Sequence, residues 1–277
     1  MRVVKSQLSS CLDLLSVMAS NAQGMRLTDL ALNLGMPKSS MQRLLEHLAG
    51  EGWIEQDDAT SQYRLTTRLA VLGRRYLESA GIADIAQGLL DRLAKKTGEL
   101  ARLTTLDGKR LVWMGSAQGA PPGLRYEPSM GARIVSYATA NGKAWLATLG
   151  DDEAVAIANA DGLGKTRTRQ ALGPNGIRTA PALIAELNLT RRRGFAIADE
   201  EAERGIAALA VAVCEPRGGG VVGTTSVAGP VIRVTRARHE TIVRALKSTA
   251  TDLALAWPAT RLVGLNGKKT NGATVDA

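Results

Sequence analysis

The sequence predicts an α+β chain: a small unit of three helices and a hairpin, a connecting helix, and a larger unit in which strands in hairpins alternate with helices. Three observations carry this. Apolar residues recur at intervals of three and four between Ser6 and Leu48. Leu34-Gly35-Met36-Pro37 and Asp107-Gly108 punctuate the chain where a helix must stop and a hairpin must fold back. The 277 residues, 45% hydrophobic and 22% charged, are enough for two ordinary cores.

In the first unit, Leu8, Leu12, Leu15 and Met18 give a helix from Ser6 to Ala19 an apolar stripe, and Asn21, Gln23 and Gly24 end it. A second helix is expected from Thr28, whose hydroxyl suits the capping of free amides, to a stop at Gly35. Pro37 opens a third, because a first-turn amide has no helical partner in any case. Met41, Leu44, Leu45 and Leu48 form its inner stripe. Lys38, Ser39, Gln42, Arg43 and Glu46 stand on the other face, with Ser40 and His47 at the margins. Gly50 and Gly52 break this helix, and Trp53-Ile54-Glu55 and Tyr63-Arg64-Leu65 read as short strands around a polar tip from Asp57 to Gln62. Helix, helix, helix, hairpin is the order of a winged helix-turn-helix. Such a unit offers polar side chains at the N-terminal end of its third helix, where the dipole also favours phosphate.

Leu69, Leu72, Tyr76 and Leu77 share one side of a linker helix from Thr66 to Ser79 that ends at Gly81. The second unit begins with a helix from Asp84 to Thr97, stopped by Gly98. Strands from Leu100 to Leu106 and Arg110 to Met114 flank the Asp107-Gly108 turn, and a Gly/Pro-rich loop is expected over 115–123. Helices are predicted around Asn141 to Leu149, Asp152 to Asn159 and Pro181 to Arg193, and strands at Phe195 to Ala198, Ala207 to Val213 and Val221 to Ala228. A last helix, His239 to Trp257, precedes Pro258. The expected divisions are 1–65, 66–81 and 82–263, followed by a polar, disordered tail over 264–277.

Composition removes several function classes. Cys11 and Cys214 are the only cysteines and His47 and His239 the only histidines, which all but excludes zinc fingers and Cys/His catalytic clusters; no metal, cofactor or catalytic group is expected. Such cysteine usage suits a reducing cytoplasm. The longest apolar run, Ile206 to Cys214, is too short to span a bilayer, and Met1 to Lys5 lacks a signal-peptide pattern, so a cytoplasmic protein without a membrane partner is expected. Aromatics at 3% argue against a binder that stacks single-stranded bases. Lys and Arg number 35 against 26 Asp and Glu, a net charge of +9 that favours a polyanion or an anionic ligand. Residues 1–80 nevertheless hold 9 basic and 8 acidic residues. The case for DNA therefore rests on where Lys38, Arg43 and Arg64 stand, and the excess belongs to the second unit.

Several segments, in the same order, resemble the IclR family of bacterial transcription regulators over nearly all of residues 6–258. LTDLALNLGMPKSSMQRLLEHLAGEGWIEQ is similar to the family's DNA-binding helices and QYRLTTRLAVLG to its wing and linker. TGELARLTTLDG, ATANGKAWLA, RRRGFAIADEEAERGIAALAVAV and SVAGPVIRVT resemble successive parts of its C-terminal domain. The resemblance implies a DNA reader, a helical linker and a GAF-like effector-binding domain with an antiparallel sheet. It also implies a homodimer or homotetramer on a palindromic double-stranded operator, controlled by a small organic acid. Carried onto this sequence, Lys38, Ser39, Ser40, Gln42 and Arg43 face the major groove with Thr28 beside them, and Tyr63 and Arg64 face the wing's phosphates. Arg43 suits the acceptor pair of guanine and Gln42 suits adenine.

The same resemblance places an effector pocket at Thr139, Ala140, Asn141 and Gly142, at Asp199 and Glu201, at Ala208, and at Thr225 and Ser226. Amides of Asn141-Gly142-Lys143 are candidates for holding a carboxylate. Met130, Ile134 and Tyr137 are read as an apolar wall or as core, and Arg125 or Arg133 as partner to a second carboxylate. Ala228 stands where some family members carry a serine, which removes a donor and favours an aromatic carboxylate, then an aliphatic acid, over very small oxo-acids. The expected mechanism is linkage: ligand in the C-terminal domain shifts two linker helices and the spacing of two recognition helices.

The alternative is a small-molecule-processing enzyme with an accessory helix-turn-helix, and the sequence holds three patterns that imitate enzyme signatures. Gly218, Gly220 and Gly223 match G-x-G-x-x-G but join two predicted strands, which reads as a hairpin loop rather than a dinucleotide site. Gly164-Lys165-Thr166 ends like a phosphate loop, yet Asn159 holds the place of its first glycine. Asp199, Glu200, Glu201 and Glu203 lack a neighbouring His or Cys and read as an exposed turn with one or two pocket acceptors. Arg191-Arg192-Arg193 closes a helix, where cations complement the dipole; phosphate binding is the sharper alternative.

Overall fold

The computed structural model describes residues 6–79, 83–128, 133–165, 172–216 and 220–257. They belong to two compact units, Met1–Ser79 and Ala80–Ala277.

The first unit contains α1 (Gln7–Ala19), α2 (Leu27–Leu34), α3 (Lys38–Gly50), the hairpin of β1 (Ile54–Gln56) and β2 (Tyr63–Leu65), and α4 (Arg68–Ser79). Its core is Leu14, Met18, Leu30, Met41, Leu44, Leu45, Leu48 and Ile54. The α3 stripe is thus as the spacing predicts. On α1 the buried stripe is Ser10, Leu14 and Met18, while Leu8 and Leu12 are 70% and 57% exposed. That helix carries apolar residues on more than one face, and periodicity alone did not say which packs inward.

Helix α2 starts at Leu27, one residue before the expected start. Arg26 holds the N-cap without a side-chain bond, and Thr28 lies exposed within the first turn, 3.5 Å from the Asp29 carboxylate. Thr28 therefore caps nothing. Gly35 ends the helix in the left-handed region at φ 62°, where a glycine carries no Cβ penalty. Pro37 is the N-cap of α3 rather than its first helical residue. In the hairpin, Glu55 faces Arg64 and Gln56 faces Tyr63. The Asp57 carboxylate closes the tip by accepting from the amides of Ala59 (3.1 Å) and Thr60 (2.8 Å). Arg68, opening α4, lies over the Trp53 ring at 4.9 Å and donates to the Glu51 carbonyl, which ties the linker helix to the hairpin.

The second unit contains α5 (Ala83–Thr97), β3 (Leu100–Asp107), β4 (Arg110–Gln118), α6 (Ala140–Leu146), α7 (Asp151–Ala160), α8 (Ala180–Arg193), β5 (Ala196–Asp199), β6 (Ile206–Cys214), β7 (Val221–Pro230) and α9 (His239–Ala256). The five strands form one antiparallel sheet in the order β4-β3-β7-β6-β5. Its edge strands, β4 and β5, pair with their sequence neighbours β3 and β6 as hairpins, and β7 joins the two halves by pairing with both β3 and β6. Strand β4 continues through Gln118, so the loop expected over 115–123 begins later: Gly115–Gln118 pair with Leu103–Leu100. Gly223 permits the central pairing, because a Cβ there would stand 2.0 Å from the Thr104 carbonyl oxygen.

Helices α5 and α9 cover one face of the sheet, packing Leu90, Leu93, Leu246 and Leu253 against Ala101, Leu103, Leu209 and Val227. On the opposite face, α6 lies over β5, β6 and β7, with Ala140 and Ala144 against Ala196, Ala198 and Ala210. Small residues on both sides let the α6 backbone approach the strands closely. Behind it, Tyr137, Trp145, Leu146, Ala154, Leu183 and Leu187 form a second core with α7 and α8. The tail expected over 264–277 lies outside the described residues. Among the described residues, no helix is long and apolar enough to cross a membrane.

Candidate DNA interface and effector cavity

Helix α3 sets the first site. Burial of Met41, Leu44, Leu45 and Leu48 turns Lys38, Ser39, Ser40, Gln42 and Arg43 outward, and all five are exposed. No side chain caps the α3 N-terminus, so its first amides and the positive end of the dipole remain available beside Lys38. Gln42 donates to the Glu46 carboxylate at 3.0 Å along the helix, a contact it must break to meet a base. In the wing, Arg64 pairs with Glu55 at 2.7 Å, both side chains about half exposed. Tyr63 is half-buried; its backbone bridges Met25 at 2.8 and 2.9 Å and its ring packs on the core. It anchors the wing rather than projecting from it. Exposed His47 lies in the last turn of α3.

The second site is a small hollow on the α6 face of the sheet. Thr139, Ala140, Asn141, Ala208 and Ser226 line it, as expected, and so do Arg102, Trp113, Tyr126, Ala198, Ala202, Glu203, Ile206 and Ala228. Strand alternation explains who faces it. Arg102 and Ser226 are cross-strand partners on β3 and β7, and Ala228, Ala208 and Ala198 follow in register across β7, β6 and β5. Asn141, buried at the start of α6, donates to the Thr224 hydroxyl at 2.9 Å, and Thr224 meets the Thr104 hydroxyl at 2.6 Å. This network fixes the turn before α6 against the sheet. Thr139 caps α6 by accepting from the Gly142 amide at 3.1 Å. A side chain at Gly142 would strike the Ser136 carbonyl oxygen at 2.1 Å, so that glycine shapes the turn and is not in the lining.

Other expected members are elsewhere. Thr225 neighbours Ser226 and so points to the opposite face, where its hydroxyl donates to the Arg102 carbonyl at 3.1 Å. Asp199 is on the wrong side of β5 for the same reason; it borders a groove with His239 and Arg236, and Ala198 takes the place in the cavity. Glu201 is committed to Lys143, fully buried, whose Nζ lies 2.6 Å from one carboxylate oxygen and 2.7 Å from the other. Ile134 and Tyr137 belong to the second core. Met130 lies outside the described residues. Arg125 pairs with Glu127 and Arg133 with Asp161, each at 2.7 Å. Arg191 holds Asp151 and the Ala147 and Leu149 carbonyls, and Arg193 holds Glu186, so these cations bind protein groups. Between β6 and β7 the Glu215 amide donates to the Gly220 carbonyl at 2.9 Å, closing a strand-to-strand hairpin; Gly218 lies outside the described residues.

The lining that sequence reasoning missed is dominated by Arg102. It is 5% exposed, its Cζ lies 3.2 Å from the Trp113 ring centroid, and its Nε and Nη2 have no hydrogen-bond partner. Burial pushes its pKa down to about 10, which still leaves it a cation at neutral pH. Burial, with the Glu203 carboxylate that accepts its hydroxyl, pushes Tyr126 up to about 12.

An outward polar α3 and a cup on the α6 face of the sheet stand where the resemblance places the DNA reader and the effector pocket. A family profile described as Bacterial transcriptional regulator IclR C-terminal matches residues 74–255, and one described as IclR helix-turn-helix domain matches residues 10–58. The chain belongs to the IclR family. Like other IclR regulators it joins a DNA-binding helix-turn-helix to a C-terminal effector-binding domain. This IclR chain is 31% identical to the HTH-type transcriptional regulator XynR of Escherichia coli (strain K12), over 73% of its own length and 77% of the relative's. Its fold matches an IclR transcriptional regulator from Alicyclobacillus acidocaldarius with TM-score 0.77 at 24% identity, covering 92% of this chain and 100% of that one. It also matches an IclR homolog from Microbacterium hydrocarbonoxydans complexed with 4-hydroxybenzoate, with TM-score 0.73 at 19% identity over 91% and 99% of the two chains.

Proposed function

We propose that this IclR regulator binds a palindromic duplex operator as a homodimer or homotetramer and that a small aromatic carboxylate, seated in the C-terminal cavity, changes its operator affinity. The observation that carries the reading is the union of an exposed, uncapped helix with a cavity whose one cation among the described residues, Arg102, has two donors without a hydrogen-bond partner. Lys38 and the free amides of α3 meet phosphate, Arg43 and Gln42 meet base edges, and Arg64 meets the backbone from the wing after leaving Glu55. Leu8, Leu12, Val71 and Leu72 are exposed apolar residues on α1 and α4, and a second copy is a fitting cover for them. A two-fold pair of readers then matches two half-sites.

The aromatic class is supported by the flat alanine floor and by the 4-hydroxybenzoate held in the Microbacterium relative, which shares the fold. The test is a duplex selected from a random pool. Wild type binds it with an affinity that falls steeply with salt, and Arg43→Ala weakens it about tenfold or more and relaxes one base position. An Arg43→Ala protein with unchanged affinity and preference removes the recognition assignment.

A further inference from the structure

We infer that Arg102 is the clamp for the effector's carboxylate, held against Trp113 until the ligand arrives, and that the ligand is an aryl monocarboxylate. This rests on the reading of the second unit as an effector domain. A guanidinium with empty donors, removed from water, is costly to a fold unless something fills them. Here two donors, Nε and Nη2, border a cavity and no carboxylate among the described residues hydrogen-bonds them: Glu201 is taken by Lys143, Glu203 accepts from the Tyr126 hydroxyl, and Asp199 points away. The Trp113 face supplies a cation–π rest for the unliganded state. A ligand carboxylate supplies the missing lone pairs in the planar geometry that the guanidinium fork matches. Ser226, opposite Arg102 in the β3–β7 register, stands beside the same end of the cavity.

The remaining lining fixes the rest of the ligand. Among the described residues of the cavity Arg102 is the one cation, so a second carboxylate finds no cationic partner and meets the Glu203 carboxylate instead. Ala140, Ala198, Ala202, Ala208 and Ala228 present short apolar side chains from the helix, the strands and the loop between them. They leave a shallow slot for a planar apolar body. A single ring fits this description.

The test is calorimetric titration of the full-length protein with benzoate, with benzamide as the uncharged isostere. Benzoate is expected to bind saturably and benzamide at least about tenfold more weakly. Arg102→Met is expected to lose benzoate affinity by about tenfold or more while duplex affinity without ligand is retained. Arg102→Lys keeps the charge without the fork; it is expected to fall between the two proteins, and it decides the matter if the methionine variant does not fold. Absence of saturable benzoate binding by wild type, equal affinity for benzamide, or an affinity in Arg102→Lys equal to wild type overturns the clamp, as does a loss under tenfold in a folded Arg102→Met. The outcome is separable from the regulatory reading. Benzoate bound through Arg102 with no change in duplex affinity removes regulation and leaves the clamp; salt-sensitive duplex binding without benzoate binding does the reverse.

Discussion

Arg102 shows why a functional residue can be invisible in a sequence. It stands in LARLTTLD, a strand pattern in which a single arginine reads as an outward side chain, and only the β7 pairing and the α6 cover reveal that both sheet faces there are buried. Ligand sites carry local costs of this kind, so Arg102→Met without ligand is expected to raise the melting temperature by roughly 2–4 °C for each kcal/mol of relieved penalty. A fall on thermal unfolding assigns the guanidinium a structural role on Trp113 instead. Tyr126 offers a spectroscopic reporter at the same cavity. Its ionisation lies at about 12 against an ordinary 10, through burial and the Glu203 carboxylate. A raised folded value means that this phenol's contribution to stability is intact below pH 10 and is lost as pH climbs toward 12. Phenolate absorbance on alkaline titration is expected to show a late component that Tyr126→Phe removes and Glu203→Gln moves to lower pH. A Glu203→Gln profile identical to wild type removes that hydrogen bond from the account.

At the level of elements, spacing and punctuation found the helices and strands because the signals are local: the α3 stripe, Gly35, and the Asp107-Gly108 turn each depend on neighbours in sequence. Element faces were harder. Thr225 and Ser226 both carry hydroxyls, and so do many pocket residues, but alternation admits only one of them to the cavity; the decision comes from β3, more than a hundred residues away in sequence. The same rule exchanged Asp199 for Ala198. Helix α6 illustrates what a correct segment assignment still leaves out. Lys143 in its centre is fully buried and bound to Glu201 and, at 3.4 Å, to Glu186. Lys143→Met is expected to destabilise the second unit by about 3–5 kcal/mol, since it strands the Glu201 carboxylate, while Glu186 keeps Arg193 at 2.6 Å. Denaturant unfolding measures this; a loss below about 1 kcal/mol shows that water reaches that carboxylate freely. In the first unit Met41→Ala, which empties a fully buried site on α3, is expected to cost about 2–5 kcal/mol and to weaken duplex binding through the displaced recognition face.

At the level of the whole molecule, net charge proved a poor guide to the DNA reader. The first 80 residues are almost neutral; Lys38 and Arg43 stand exposed on α3, and Arg64 on the wing is paired with Glu55. Effector control requires only that the ligand bind the free and DNA-bound forms with different affinity, and the same factor then appears in operator affinity. The most direct test of the central claim is the anisotropy of a labelled duplex, selected from a random pool, titrated with full-length protein at rising salt in the presence and absence of saturating benzoate. The account predicts an affinity that falls log-linearly with salt, exceeds that for a scrambled duplex, and shifts by a constant factor when benzoate is present. Equal binding of selected and scrambled duplexes, or superimposable curves with and without benzoate, would contradict it.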